Sequence, residues 1–227
     1  MSDRAHLTDL RARYAGLCSA LVSDALRELN FINQALTHSI SPLVDGMLIA
    51  GPAFTVKSGK EATRDYNSLD IKGHMRFRAE VMQAIPPGAV VVWDTDEDNV
   101  SGHWGAMMTR MAKKRGCVGA VIDGGLRDTV DVLKQDFPVF CRYRTPNGIL
   151  GRHKWEAYQQ PIRIGGVTIY PGDYVLADMD GVVVVPGEII HDVLERAEDK
   201  SRHERQVEEW IRNGKSPREI ADEGGLF

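Results

Sequence analysis

Val118-Gly-Ala-Val-Ile-Asp-Gly-Gly-Leu-Arg-Asp128 decides how this 227-residue chain is read. Val118 to Ile122 are apolar apart from glycine, as a strand covered on both faces requires. Gly124 and Gly125 then permit the tight bend or positive φ of a strand-to-helix corner. Asp128 falls where a helix N-cap belongs, and Thr129-Val-Asp-Val-Leu-Lys134 starts polar and continues apolar, as a first turn should. Arg127 is thereby set beside a helix N-terminus, where free N–H groups and the helix dipole favour a carboxylate or phosphate. A plainer reading of the same residues has Asp128 capping the helix and Arg127 pairing with it or a neighbouring carboxylate.

The segment upstream tips the choice. Ser101-Gly-His-Trp-Gly-Ala-Met-Met-Thr-Arg-Met-Ala-Lys-Lys-Arg-Gly116 reads as a glycine-opened helix that ends at Gly116 with basic residues in its last turn. Its start, Gly105 to Met108, offers a second set of unpaired amides. Both helix starts belong to one short supersecondary unit, which sets them at the same end of a sheet, where α/β proteins bind ligands.

Gly105-Ala-Met-Met and Arg115-Gly-Cys-Val-Gly-Ala-Val-Ile-Asp-Gly-Gly-Leu-Arg-Asp resemble the signature of one family. It joins class II 4-hydroxy-4-methyl-2-oxoglutarate (and 4-carboxy-4-hydroxy-2-oxoadipate) aldolases with RraA-like regulators of ribonuclease E. Leu21-Val-Ser-Asp-Ala-Leu, Gly51-Pro-Ala-Phe-Thr-Val, Gly165-Gly-Val-Thr-Ile-Tyr-Pro-Gly-Asp and Ala177-Asp-Met-Asp-Gly-Val-Val-Val-Val-Pro agree, so the match runs from Leu21 to Arg212. The resemblance implies a divalent-metal lyase in which Asp128 binds Mg²⁺ or Mn²⁺ largely through waters. Arg127 and the amides of Gly105, Ala106, Met107 and Met108 would hold a pyruvate-like 2-oxo acid. The chemistry is coherent, because breaking a carbon–carbon bond next to an oxo acid leaves an enolate that a metal and a guanidinium stabilise. Mg²⁺ keeps several waters, so one protein carboxylate suffices. The resemblance further implies a swivelling β/β/α fold like that of phosphohistidine domains, assembled as trimers or dimers of trimers with sites between subunits.

One position departs from the family pattern: Ala106 stands where its aldolases carry an acidic residue that helps hold the metal's water shell. Asp94, Asp96, Glu97 and Asp98, after a strand expected at Ala89 to Trp93, either supply outer-shell acceptors or form a solvated acidic loop. His103 either faces the pocket or packs. Glu204 is the closest match by spacing to a family glutamate that reaches a neighbouring subunit's metal. Asp24 reads as structural, since Ser23 and Asp24 fit a helix start. Arg142, Arg144 and Arg152 are candidates for a second substrate carboxylate or for solvated pairs.

Composition bounds the rest. With 43% hydrophobic residues and no Ser- or Pro-rich linker, the chain reads as a single domain, 1–227, with a C-terminal helix and arm from about 188. The net charge of −4 and interspersed basic residues suggest no nucleic-acid surface, and Lys113-Lys114-Arg115 suits a helix C-terminus. Cys18, Cys117 and Cys141 share no metal-binding spacing, which fits a reducing cytoplasm, with Cys117 packed at the start of the buried strand. No apolar run approaches about 18 residues and no leader pattern opens the chain, so no membrane association is expected.

Further strands are expected at Met47 to Val56, Val139 to Arg142, Val167 to Ile169, Tyr174 to Ala177 and Val182 to Val185, punctuated by Pro-Gly at 87–88, 171–172 and 186–187. The apolar spacing predicts a helix over Glu188 to Arg212. Helices alternating with strands give an α/β class with a mixed sheet. The polar tail, Asn213 to Phe227, either frays or docks on a neighbour.

Three functions remain open: a metal-dependent lyase that cleaves or decarboxylates a 2-oxo acid, a non-catalytic RraA-like partner-binding regulator, and a divergent lyase or hydro-lyase for another hydroxy or oxo acid. A methyltransferase has no support, since no strand leads into a Gly-x-Gly-x-x-Gly loop.

Overall fold

The structure, a computed structural model, describes residues 2–61 and 65–225, with side chains from residue 8. Its centre is a parallel block of β2 (Ile49–Lys60), β3 (Val90–Asp94), β5 (Gly119–Leu126) and β6 (Val139–Arg144) in the order β6-β5-β3-β2. β3 and β5 are buried along their whole length, the consequence of apolar runs covered on both faces. β10 (Tyr174–Asp178) adds antiparallel to β2, and β11 (Gly181–Val185) antiparallel to β10. β7 (His153–Tyr158) runs antiparallel along the far end of β2.

The nine-stranded sheet nearly closes. Val184 donates to the Gln34 carbonyl and Leu36 to that of Val182, and the chain then continues into β1 (Ser41–Pro42), which pairs with β6. Residues 34–42 therefore join the two sheet edges. This mixed α/β sheet is the architecture expected from the sequence.

Helices cover the faces. α3 (Ile71–Ala84), α4 (Ala106–Lys114) and α5 (Thr129–Leu133) lie on one side of the parallel strands, over a core that includes Phe54, Trp93, Ile122 and Val132. The hairpin of β8 (Ile162–Ile164) and β9 (Val167–Ile169) closes the other side against Val90, Val92, Val121 and Phe140. Its turn, Gly165-Gly166, has φ of 56° and 89°, values a two-residue hairpin loop needs. α1 (Ser2–Ala15), α2 (Ser19–Glu28) and α6 (Ile190–Arg212) pack on β10 and β11.

Several expectations need correction. Gly124 and Gly125 do not form a corner: both lie inside β5, neither has positive φ, and the β5–β6 register shifts between Ile122 and Gly125, as at a bulge. A Cβ on Gly125 would fall against the Tyr143 ring and 2.5 Å from the Ser101 carbonyl, so close approach is what selects glycine there. The turn is made by Asp128 itself, in the left-handed region at φ 57°, ψ 35°. Asp128 holds the N-cap position of α5, but its side chain does not cap that helix.

Ser23 and Asp24 lie within α2 rather than at its start; the helix opens at Ser19, whose N–H and hydroxyl both donate to the Asp178 carboxylate at 2.6 Å. Ser101-Gly-His-Trp is not helical: Gly102–Trp104 form β4, parallel to β5, and the helix begins only after Gly105. The tail up to Gly225 docks on its own chain. α7 (Pro217–Asp222), opened by a Ser216–Glu219 capping box, buries Ile220, while Lys215 sits 4.5 Å over the Trp210 ring of α6. Cys117 is buried just before β5, as expected, and none of the cysteines is in a disulfide.

Candidate functional site

β4 and β5 end side by side, which delivers the start of α4 and the Arg127–Asp128 turn to one place. Arg127 donates its backbone N–H to the Trp104 carbonyl at 2.9 Å, locking the two together. Gly105 opens α4, and a Cβ there would lie 2.8 Å from Asp128 Oδ2. Asp128 Oδ2 accepts from the Ala106 N–H at 3.4 Å, and Arg127 Nε approaches Oδ1 at 3.4 Å. Both contacts are long and the carboxylate is 39% exposed, so its oxygens remain available to a further partner.

These groups line a cavity of 530 Å³ together with His103, Met107, Met108, Arg78 and Arg152. That volume suits a small molecule. The first-turn N–H groups of α4 have no partner within the helix and supply positive potential. Arg78, brought in by α3, has buried Nε and Nη2 atoms without a hydrogen-bond partner, and its guanidinium stacks 5.6 Å from the Trp155 ring. Sequence reasoning missed it because it lies almost fifty residues upstream, outside any local motif. Of the arginines considered for a second carboxylate, Arg152 lines the cavity; Arg142 instead approaches Asp123 at 3.5 Å, and Arg144 donates to the Leu43 carbonyl.

The other candidates fall differently. Asp94 ends β3 and accepts from the Asp96 N–H at 2.9 Å, a local turn contact. Glu204 is exposed on α6 and borders a separate hollow with Asp24 and His203. His103 is buried in the cavity wall, 2.8 Å from Asp98 Oδ2, with the His153 ring 5.3 Å away. Burial pushes the His103 imidazole down to about 4 against the opposing pull of Asp98. For Asp98, burial raises the carboxyl, but hydrogen bonds including those from His103 and Val100 hold it below its ordinary value. Asp98 is therefore a carboxylate and His103 a neutral ring near neutral pH.

Asp123, buried at the β5 bulge, is raised to about 6, chiefly by burial and secondarily by Asp94 and Glu97, with Arg142 opposing. A folded-state value above the ordinary 3.8 means the protonated form suits the fold. Its stabilisation is complete below pH 3.8 and lost as pH rises through about 6. The Asp123→Asn protein is thus expected to gain on wild type, by about 2 kcal/mol, between pH 4 and pH 7. Urea midpoints of both proteins across that range test it, and parallel curves would refute it.

Fold and cavity together define a mixed α/β protein with a guanidinium–carboxylate pair facing a helix N-terminus. Residues 19–184 match the family described as RraA-like, Aldolase/RraA, and the chain belongs to it. A Halalkalibacterium halodurans protein provisionally named 4-hydroxy-4-methyl-2-oxoglutarate aldolase is 31% identical over 205 residues, 89% of each chain. Protein DlpA of Legionella pneumophila is 31% identical over 86% of this chain, which spans only 30% of that protein's length. A solved structure described as a novel cellulase from gut-associated microbes is 43% identical, with a TM-score of 0.82 over 88% of this chain and 86% of its own. Streptomyces coelicolor RraAS2, described as an unusual member of the RNase ES inhibitor RraA family, superposes with a TM-score of 0.78 at 28% identity, covering 88% of this chain and 96% of its own. No helix among the described residues is long and apolar enough to cross a membrane.

Proposed function

We propose that the protein is a divalent-metal lyase that cleaves or decarboxylates a 2-oxo acid through a pyruvate enolate. The observation that carries this reading is the Arg127–Asp128 turn held against the start of α4 on a 530 Å³ cavity. Arg127 and the amides of Gly105 to Met108 bind the carboxylate and oxo group of the substrate and orient the bond to be broken. Asp128, with weakly engaged oxygens open to the cavity, fits a water-clad Mg²⁺ or Mn²⁺. Bound there, the ion would supply charge stabilisation for the enolate oxygen. Ala106, 6% exposed, adds no carboxylate, so the water shell relies on Asp128. Arg78, stacked on Trp155 and unpaired, is suited to a second substrate carboxylate, which favours dicarboxylic oxo acids.

The test is pyruvate release from oxaloacetate and from 4-hydroxy-4-methyl-2-oxoglutarate with EDTA, Mg²⁺ or Mn²⁺. Metal-dependent release is expected. Arg127→Ala should raise KM and also lower kcat, because the guanidinium serves both substrate and enolate. Arg78→Ala should raise KM by about 10- to 100-fold with a smaller change in kcat, the value of one charge-assisted contact. Equal loss of kcat in both variants would remove the distinction between the two arginines.

A second reading, a non-catalytic regulator that binds a partner enzyme, is favoured by Ala106 and by the likeness to RraAS2. Folded protein that releases no pyruvate from either compound would support it. Glycoside hydrolysis fits less well: it works with two carboxylates about 5–10 Å apart, and Asp128 is the one carboxylate among the described residues lining this cavity. Assembly into trimers or hexamers, with Glu204 reaching a neighbour's site, belongs to the same proposal and is read by light scattering of wild type and Glu204→Ala.

A further inference from the structure

Behind the cavity wall, Asp98, His103 and His153 are 6%, 2% and 5% exposed, and one donor atom from each lies within 4.8 Å of the others. Asp98 Oδ2 is 2.8 Å from His103 Nε2 and 3.4 Å from His153 Nδ1. The group is short of hydrogen-bond partners. His103 Nδ1, both ring nitrogens of His153 and the adjacent Ser101 hydroxyl are buried without any. Buried polar atoms ordinarily find a partner, and of these His153 Nδ1 is the one that faces Asp98 Oδ2, where an ion held between them would engage it.

The spacing says which kind. Two ligand atoms held about 2.1 Å from one ion at tetrahedral or octahedral angles are separated by about 3.0–3.4 Å, close to both measured edges. Two imidazoles and one carboxylate select a first-row transition ion over Mg²⁺ or Ca²⁺, which take oxygen ligands. The ligands also stand on fixed elements. His103 lies on β4 and His153 opens β7, while the Asp98 carboxylate is oriented by the N–H groups of Val100 and Ser101 at 3.0 and 3.1 Å. Asp98 and His153 border a second cavity, beside Glu61 and Arg152, which gives an ion a way in.

We propose that Asp98, His103 and His153 form a binding site for one divalent first-row transition ion, separate from Asp128. The site does not depend on the lyase reading. Three protein ligands leave coordination positions open for water.

Chelator-treated full-length protein titrated with Co²⁺ and Zn²⁺ tests the site without reference to activity. In the Asp128→Asn protein, which keeps only the proposed site, one Co²⁺ per chain with visible d–d absorption is expected, displaced by Zn²⁺, together with a Zn²⁺-induced rise in melting temperature. His153→Gln and Asp98→Asn should weaken binding by more than about 100-fold, whereas Asp128→Asn keeps it. If His153→Gln does not fold, the nitrogen hyperfine pattern of Cu²⁺-loaded wild type decides, and two imidazoles are expected. Folded wild type that binds no Co²⁺, binding that survives His153→Gln, loss of binding in Asp128→Asn, or a Cu²⁺ signal without two imidazoles would each overturn the proposal.

Discussion

The Asp128→Asn protein is expected to lose metal-dependent pyruvate release by about 10³-fold or more in kcat/KM while unfolding like wild type to within about 0.5 kcal/mol. Both halves follow from the same geometry. Asp128 sits at φ 57°, a conformation that asparagine adopts readily, so the turn survives the exchange. Its side chain contributes two 3.4 Å contacts, too long and too exposed to hold much of the fold. What the exchange removes is the charge, and with it the one carboxylate among the described residues that line the cavity. Rates with Mg²⁺, Mn²⁺ and EDTA beside a denaturation curve separate these effects. Full metal-dependent turnover in the variant would take the chemistry away from Asp128; metal-dependent activity that also disappeared in His153→Gln would move it to the Asp98–His103–His153 cluster.

The parts of the fold legible in the sequence are those whose evidence is local. β3, β5 and the β9 to β11 series are apolar runs bounded by glycine or Pro-Gly, and α4 and α6 carry helical spacing with clear ends. β4 and β8 are three residues each, and β1 two, too short for any periodicity. β7 exists because β2 continues to Lys60 and offers an edge about a hundred residues away in sequence, which no window along the chain contains. The site divides along the same line. Arg127, Asp128 and Gly105 to Met108 belong to one supersecondary unit and were readable. Arg78 arrives on α3, and His153 arrives on β7 to give His103 its neighbour. A lone histidine in the sequence became one of a pair only through tertiary packing. Ala106 is legible as a departure, yet its consequence depends on the carboxylates folded around it.

Gly125→Ala tests the stretch from which the fold was read, and a loss of about 3 kcal/mol or more is expected. The glycine is extended and could accept a side chain on conformational grounds, so backbone freedom does not explain it. The added methyl would meet the Tyr143 ring and, at 2.5 Å, the Ser101 carbonyl oxygen. Tyr143 cannot easily turn aside, because its hydroxyl donates to the carbonyls of Asp98 and Ser101 at 3.0 and 3.2 Å. Relief must come from separating β5 from β4 and β6, which also shifts Arg127 and Asp128, two and three residues on. Melting temperature should fall by about 6–12 °C for a chain of this size, and activity should fall in the residual folded protein. Gly187→Ala is the control: its nearest contact would be 3.7 Å from Asp173 Oδ1 and its φ is ordinary, so a change within about 0.5 kcal/mol is expected. If both variants melted alike, close strand approach would not be what reserves position 125 for glycine.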